Sequence, residues 1–308
     1  MEQKDWRGVF PAITTPFKND LAVDYEALEG HVSWLIDSGC LGIIALGSLG
    51  EGATLTFEEK IEIVRSCKGV LGSRAPVIAG IAALSTAEAV RLAETAAKVE
   101  SDGLMILPPY VYQGDWRETK AHLSAVMSAT SLSCILYNNP IAYGTDLVPT
   151  QIKELADRHV NLHAVKESSG DVRRVTAIRE LCGDRLAIFV GLDDAILESV
   201  AVGAVGWVAG LVNALPRESV QLFNLAIAGK CDEARQLYEW FLPLLRLDTV
   251  PRFVQLIKLV QREVGKGTTR VRPPRLELEG EELDATVNLV LRQLGSRSLA
   301  TESSATYA

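Results

Sequence analysis

The sequence predicts an α/β fold, a (β/α)8 TIM barrel carrying a C-terminal three-helix appendage. Three observations lead there. Eight short runs rich in Val, Ile and Leu alternate with segments of helical period over residues 1–228, the signature of repeated βα units. The runs read as apolar on both faces, without the alternation of a half-exposed strand, which suits a parallel sheet wrapped by helices. No Gly-x-Gly-x-x-Gly turn follows the first run, which disfavours a doubly wound open sheet.

Taken in order, strands are expected at 9–14, 42–46, 77–81, 103–107, 134–137, 163–166, 187–190 and 205–208. Amphipathic helices lie between them, among them 24–37, 56–70, 85–99 and 116–129. Asp24, Thr56 and Ser85 are the expected N-caps, the last two with a glutamate three positions on, where a capping box would close. Past residue 228 the strand signal stops. Helices at 231–245, 251–264 and 281–294 then make up a helical domain over 229–295, with 266–274 as a basic, proline-bearing connector. The polar stretch 296–308 is expected to be a disordered tail.

Composition narrows the function classes. Hydrophobic residues make up 48% and charged residues 23% of the 308 residues, the balance of a soluble globular chain. A net charge of −8 with scattered basic residues offers no electrostatic footprint for nucleic acid. No apolar run reaches the roughly 20 residues of a membrane span, and the start, Met1-Glu2-Gln3-Lys4-Asp5, lacks a signal peptide's apolar core. The expectation is a cytoplasmic protein with neither a nucleic-acid nor a membrane partner. Cys40, Cys67, Cys134, Cys182 and Cys231 are odd in number and widely spaced, as befits reduced thiols rather than a disulfide framework. His159 and His163 stand four apart but straddle a turn into a strand, so no metal site is expected. No cofactor is called for.

The chemistry-bearing residues fall at strand ends. Lys166 closes the sixth run, just before the small polar turn Glu167-Ser168-Ser169-Gly170. In a parallel barrel that end faces the reaction chamber, where partial desolvation would expose a free amine able to attack a carbonyl. Tyr137, in Tyr137-Asn138-Asn139-Pro140, ends the fifth run, where a phenol can shuttle a proton. Gly47-Ser48-Leu49-Gly50-Glu51-Gly52 follows the second run. Its glycines would let backbone N–H groups approach an anion, and the Ser48 hydroxyl would add a further hydrogen bond. Each motif has a plainer reading: an edge-strand lysine in solvent, an aromatic barrel plug and a strand-to-helix corner. Asp193 and Asp194 are open between substrate contact and helix N-cap. Glu51 reads as structural and Trp207 as packing.

Together, these motifs resemble the dihydrodipicolinate synthase and N-acetylneuraminate lyase superfamily, whose members are class I Schiff-base barrels acting on 2-keto acids. The resemblance runs from Trp6 to about Leu294. It rests on Gly-Thr/Ser-x-Gly-Glu at Gly47 to Glu51, Tyr-Asn-x-Pro at Tyr137 to Pro140, and Lys-Glu/Asp-x-Ser-Gly at Lys166 to Gly170. It implies that Lys166 forms the Schiff base, that Tyr137 relays protons, and that Ser48 with the Ser48 and Leu49 amides holds the 2-keto carboxylate. It also implies a homotetramer, a dimer of dimers. Where the synthases carry an arginine for the second substrate's carboxylate, this chain has Ala142, followed by Tyr143. Their intersubunit tyrosine aligns with Val111, next to Tyr112.

A closer likeness, to 1-pyrroline-4-hydroxy-2-carboxylate deaminases, is carried by several further runs: Asn138-Asn139-Pro140 with Tyr143, Gly191-Leu192-Asp193-Asp194, Gly203 to Val208, Leu237 to Trp240, and Leu244 to Asp248. It implies a substrate site lined by Ser48, Leu49, Tyr143, Gly191, Asp193 and Val208. The implied substrate is a cyclic imine carboxylate or small 2-keto acid, converted to 2-oxoglutarate semialdehyde and ammonia. A 2-keto-3-deoxy sugar-acid dehydratase or aldolase is the competing enzyme. A catalytically silent barrel that binds a 2-keto acid is the alternative of another class.

Overall fold

A computed structural model describes residues 1–305, with side-chain surroundings through residue 296. The order is β1 (Gly8–Pro11), α1 (Tyr25–Asp37), β2 (Ile43–Ala45), α2 (Phe57–Leu71), β3 (Val77–Ile81), α3 (Thr86–Lys98), β4 (Gly103–Ile106), α4 (Trp116–Ser128) and β5 (Ser133–Asn138). There follow α5 (Pro140–Tyr143), α6 (Pro149–Arg158), β6 (Leu162–Glu167), α7 (Arg173–Cys182), β7 (Ala187–Val190), α8 (Ile196–Ala201), β8 (Gly206–Ala209) and α9 (Pro216–Ile227). The chain then runs through α10 (Cys231–Leu245), α11 (Phe253–Glu263) and α12 (Gly280–Ala305).

All eight strands are parallel, in the order β1-β8-β7-β6-β5-β4-β3-β2, and a bridge between Ala12 and Ile44 brings β1 against β2 to close the ring. The fold is therefore the expected TIM barrel with a helical C-terminal part. The first strand is shorter than the expected 9–14, because Thr14 and Thr15 turn their hydroxyls to Gln261 and to the Gly50 carbonyl instead of extending the ladder. α12 continues to Ala305, into the segment expected as a tail, and residues 306–308 lie outside the described residues.

The caps follow the sequence. Asp24, Thr56 and Ser85 each accept from the amide three residues on. Glu59 reaches back to close the box at Thr56, while at Ser85 only the forward bond forms.

Packing decides which end of the barrel is open. Register pairs Lys166 with Phe189, Phe189 with Gly206, and Gly206 with Gly8, so these residues share the inward face, as does Phe10 two positions on. Phe10 and Phe189 meet edge to face at 5.6 Å, and Trp6 covers both from below. The glycine opposite is obligatory: a Cβ on Gly206 would lie 2.3 Å from the Phe189 ring. Aromatic rings thus fill the barrel beneath Lys166, and the remaining space lies above it, at the C-terminal ends of the strands, where barrel enzymes work.

The helical appendage is fastened to that open end. From α11, Lys258 donates to Glu51 at 2.6 Å and to the Thr15 carbonyl at 2.8 Å. Arg272, in the basic connector, makes a two-pronged ion pair with Glu59. C-terminal residues therefore help to set the shape of the chamber.

Candidate active site

Lys166 and Tyr137 are register partners on adjacent strands. Strand alternation sends both inward and sends their neighbours, Glu167 and Asn138, outward, where they hydrogen-bond each other at 3.0 Å. Lys166 is 6% exposed, and its ammonium nitrogen lies 4.0 Å from the centre of the Tyr137 ring. Burial pulls the amine down from its usual range to about 8, against the opposing pull of Asp248 and Asp193. An appreciable fraction is the free base at neutral pH, and that is the nucleophilic form.

Gly191 shapes the path of this side chain. A Cβ there would lie 2.0 Å from the Ser168 hydroxyl and 2.5 Å from Lys166 Cε, so no side chain fits without moving the nucleophile. Gly191→Ala is expected to slow covalent capture of pyruvate on Lys166 about 100-fold, the usual cost of an ångström's misplacement. Borohydride trapping measured by intact mass reads this, and unchanged trapping would show that Lys166 does not depend on the gap.

Tyr137 is 5% exposed, and burial pushes its phenol up to about 12. It is neutral at rest. Three groups favour the phenolate: Asn139, which donates from Nδ2 at 2.9 Å, and the hydroxyls of Ser168 and Ser48. The Ser168 hydroxyl is buried and has no other hydrogen-bond partner. Tyr143, from the short helix α5, hydrogen-bonds its hydroxyl to that of Ser48. Its ring stands edge-on to Tyr137 at 5.8 Å and 6.0 Å from Tyr110. Lys166, Tyr137, Ser48 and Tyr143 are thereby gathered at one mouth. Tyr112 is not part of that group in this chain: its hydroxyl is engaged by Glu118 and the side chain is 62% exposed.

The glycine-rich turn is built differently from the sequence reading. Gly50 and Gly52 are required by the protein itself, since a Cβ would lie 2.8 Å from the Ile13 carbonyl at one and 2.3 Å from the Leu46 carbonyl at the other. The amides of Glu51 and Gly52 are engaged within the turn, by Ser48 and Gly47. No protein acceptor meets the amides of Ser48 and Leu49 among the described residues, so an anion could be held there beside the Ser48 hydroxyl. Glu51 points away, into a fully buried ion pair with Lys258.

The ends of β7 and β8 carry an acidic group. Asp193 is fully buried, and its carboxylate accepts from Trp207 Nε1 at 3.0 Å and from the amides of Gly210 and Leu211 at 3.1 and 2.7 Å. It does not cap the helix that follows it; it ties the turn after β7 to the start of the turn after β8, and Trp207 serves as one of its donors. Burial raises its carboxyl to about 6 against those bonds. Val208 follows the inward-facing Gly206 by two positions, so it faces the chamber floor on the same side.

Sequence reasoning did not assign roles to Asn139, Ser168, Tyr110 or Asp248. The first two lie inside motifs already noted and differ from their neighbours only in the direction each points. Asp248 lies between α10 and α11, and no local pattern sends its carboxyl back over the barrel.

Other features fall away from this mouth. His159 bonds Ser124 and His163 bonds Ser133, so the two histidines have separate partners. A cavity of about 940 Å3 lies at the opposite end between Arg7, Leu41, Pro76 and Asp102, where barrels keep residues for stability rather than catalysis. No helix among the described residues is long and apolar enough to cross a membrane.

A profile described as "Dihydrodipicolinate synthetase family" matches residues 5–293. Among similar proteins, the 4-hydroxy-tetrahydrodipicolinate synthase of Methanocaldococcus jannaschii is 31% identical over 291 residues, 94% of this chain and 99% of the relative. That of Clostridium perfringens strain 13 is 36% identical over 278 residues, covering 90% and 95%. The solved 4-hydroxy-tetrahydrodipicolinate synthase of Methylacidiphilum fumariolicum SolV superimposes with a TM-score of 0.91 at 31% identity, covering 96% of this chain and 98% of that one.

Proposed function

The chain belongs to the dihydrodipicolinate synthetase family, and from that premise we propose that it is a Schiff-base enzyme removing water and ammonia from 1-pyrroline-4-hydroxy-2-carboxylate. Lys166 attacks the C=N carbon, the ring opens, and the substrate hangs from the lysine as an iminium with a free C5 amine. Its carboxylate is held by the Ser48 hydroxyl and the Ser48 and Leu49 amides. The iminium acidifies the C3 proton, which Tyr137 removes, and the enamine expels the C4 hydroxyl. Tautomerisation and two hydrolyses give 2-oxoglutarate semialdehyde and ammonia.

The observation that carries this reading is the charge of the chamber wall. Asp193, Asp194 and Asp248 lie together at the ends of β7 and β8, with Asp193 as the anion and Asp248 raised towards its neutral acid, and Ala142 supplies no cation. A substrate tail ending in a second carboxylate would be repelled there, whereas an amine or hydroxyl is welcome. The relatives' names favour a second reading, synthesis of 4-hydroxy-tetrahydrodipicolinate.

Incubation with the cyclic imine is expected to release ammonia and 2-oxoglutarate semialdehyde in equal amounts. No ammonia from the imine, with formation of 4-hydroxy-tetrahydrodipicolinate when pyruvate and a four-carbon amino-acid aldehyde are supplied instead, would replace the reading with the relatives' own. Turnover only of an open-chain 2-keto-3-deoxy acid, with no ammonia, would make it a dehydratase. Failure of pyruvate to form a borohydride-stable adduct would leave a binding protein.

A further inference from the structure

The short turn Arg246–Asp248 between α10 and α11 brings an unassigned carboxyl group into the chamber. Asp248 lies directly on the backbone of Gly210, the residue after β8: a Cβ there would meet Asp248 Oδ1 at 2.0 Å and Oδ2 at 2.7 Å. The Gly210 amide meanwhile donates to Asp193. One backbone thus separates two carboxyl groups with opposite surroundings. Asp193 is saturated by three donors. Asp248 has neither a hydrogen bond nor an ion pair among the described residues, although it is only partly exposed and is near enough to influence both Lys166 and Tyr137 when ionised.

From this placement we propose that Asp248 is the general acid that protonates the leaving group at C4 of the lysine-bound substrate. The inference rests on the elimination reading above, and it holds equally for the cyclic imine and for an open-chain 2-keto-3-deoxy acid. The anion turn after β2 holds the substrate's carboxylate and Lys166 on β6 holds C2; the ends of β7 and β8, which Asp248 overlies, adjoin Lys166 and are where the carbons beyond C2 meet it. Electrostatics supply the proton. Burial without a donor, beside the fixed charge of Asp193 and facing Asp194, raises the Asp248 carboxyl well above the usual carboxylate range, with Lys166 the opposing influence. Two neighbouring carboxyls driven apart in this way divide naturally into an anion and an acid.

The step balances. The enamine nitrogen's lone pair re-forms the C2=N bond, the C2=C3 pair becomes C3=C4, and the C4–O pair leaves with the oxygen. Asp248 gives that oxygen its proton, so water departs and a carboxylate remains. The carboxylate then takes a proton from C5, which the conjugated iminium has made acidic, and the acid is restored.

The test compares the full-length protein with its Asp248→Asn variant on the 4-hydroxy substrate and on its 4-fluoro counterpart, whose leaving group departs as fluoride and needs no proton. Asp248→Asn is expected to trap pyruvate on Lys166 with borohydride as the unaltered protein does, and to release fluoride within a few-fold of its rate. It should eliminate the C4 hydroxyl about 100- to 10,000-fold more slowly, the range for loss of a positioned acid. Equal rates with the hydroxy substrate would overturn the assignment. So would loss of trapping and fluoride release together, because that pattern describes a damaged site. If the unaltered protein eliminates from neither the cyclic imine nor the open-chain acid, the elimination reading fails and the role of Asp248 with it. If only the variant comparison fails, that reading stands.

Discussion

Lys166→Ala is expected to abolish turnover, by about 10^6-fold as when other enzymes lose their nucleophile, while the barrel still folds. The side chain packs over Tyr137 and beside Gly191 but makes no hydrogen bond among the described residues, so its loss leaves no buried partner unsatisfied. Far-ultraviolet circular dichroism should be unchanged and borohydride trapping absent. Substantial residual turnover in a folded variant would remove the amine from the mechanism. The unaltered protein carries its own signature in pH. Burial lowers the lysine to about 8, and only the free amine attacks. Adduct formation should therefore rise about tenfold per pH unit below that point and level off above it. An inflection near the ordinary lysine value would mean a solvated ammonium and a chamber unlike the one described.

How much of this was legible in the sequence depends on which interactions are local. The eight strands and the caps at Asp24, Thr56 and Ser85 follow from periodicity and from side chains within three residues of one another. Lys166, Tyr137 and Ser48 could be placed at one mouth because strand ends in a parallel barrel converge whatever the loops do. The direction of a side chain off a turn was less accessible. Asp193 looked like a cap or a substrate contact, but its partners are the Trp207 indole and two amides 17 and 18 positions on. Gly50 and Gly52 looked like ligand-approach glycines, yet it is backbone carbonyls at Ile13 and Leu46 that exclude a side chain. Asp248 was hidden most deeply, since its place depends on how the appendage docks on the barrel, which periodicity does not encode.

That docking is the basis of the second large effect. Glu51 and Lys258 form an ion pair 207 positions apart in the chain, with side-chain exposures of 0% and 3%. Around it, Lys258 also donates to the carbonyls of Thr15 and Arg270, and Glu51 accepts the Arg272 amide. Burial lowers the lysine while Glu51 holds its charge in place. Removing Lys258 leaves the buried Glu51 with only a longer contact to Arg275 at 3.9 Å, and breaking a buried pair in this way costs about 3–5 kcal/mol. Lys258→Met should therefore lower Tm by about 10 °C. Replacing both residues, as Glu51→Gln with Lys258→Met, should recover much of that loss, because no uncompensated charge remains. Function is expected to separate from stability in the double variant. Glu51 adopts a left-handed backbone, φ 54°, at the foot of the turn that presents the Ser48 and Leu49 amides, and the pair fixes that turn to α11. A double variant with restored Tm should bind pyruvate more weakly, seen as a higher concentration for half-maximal trapping, with the limiting trapping rate on Lys166 unchanged. If stability and pyruvate affinity recover together, the pair holds the appendage in place without shaping the anion turn.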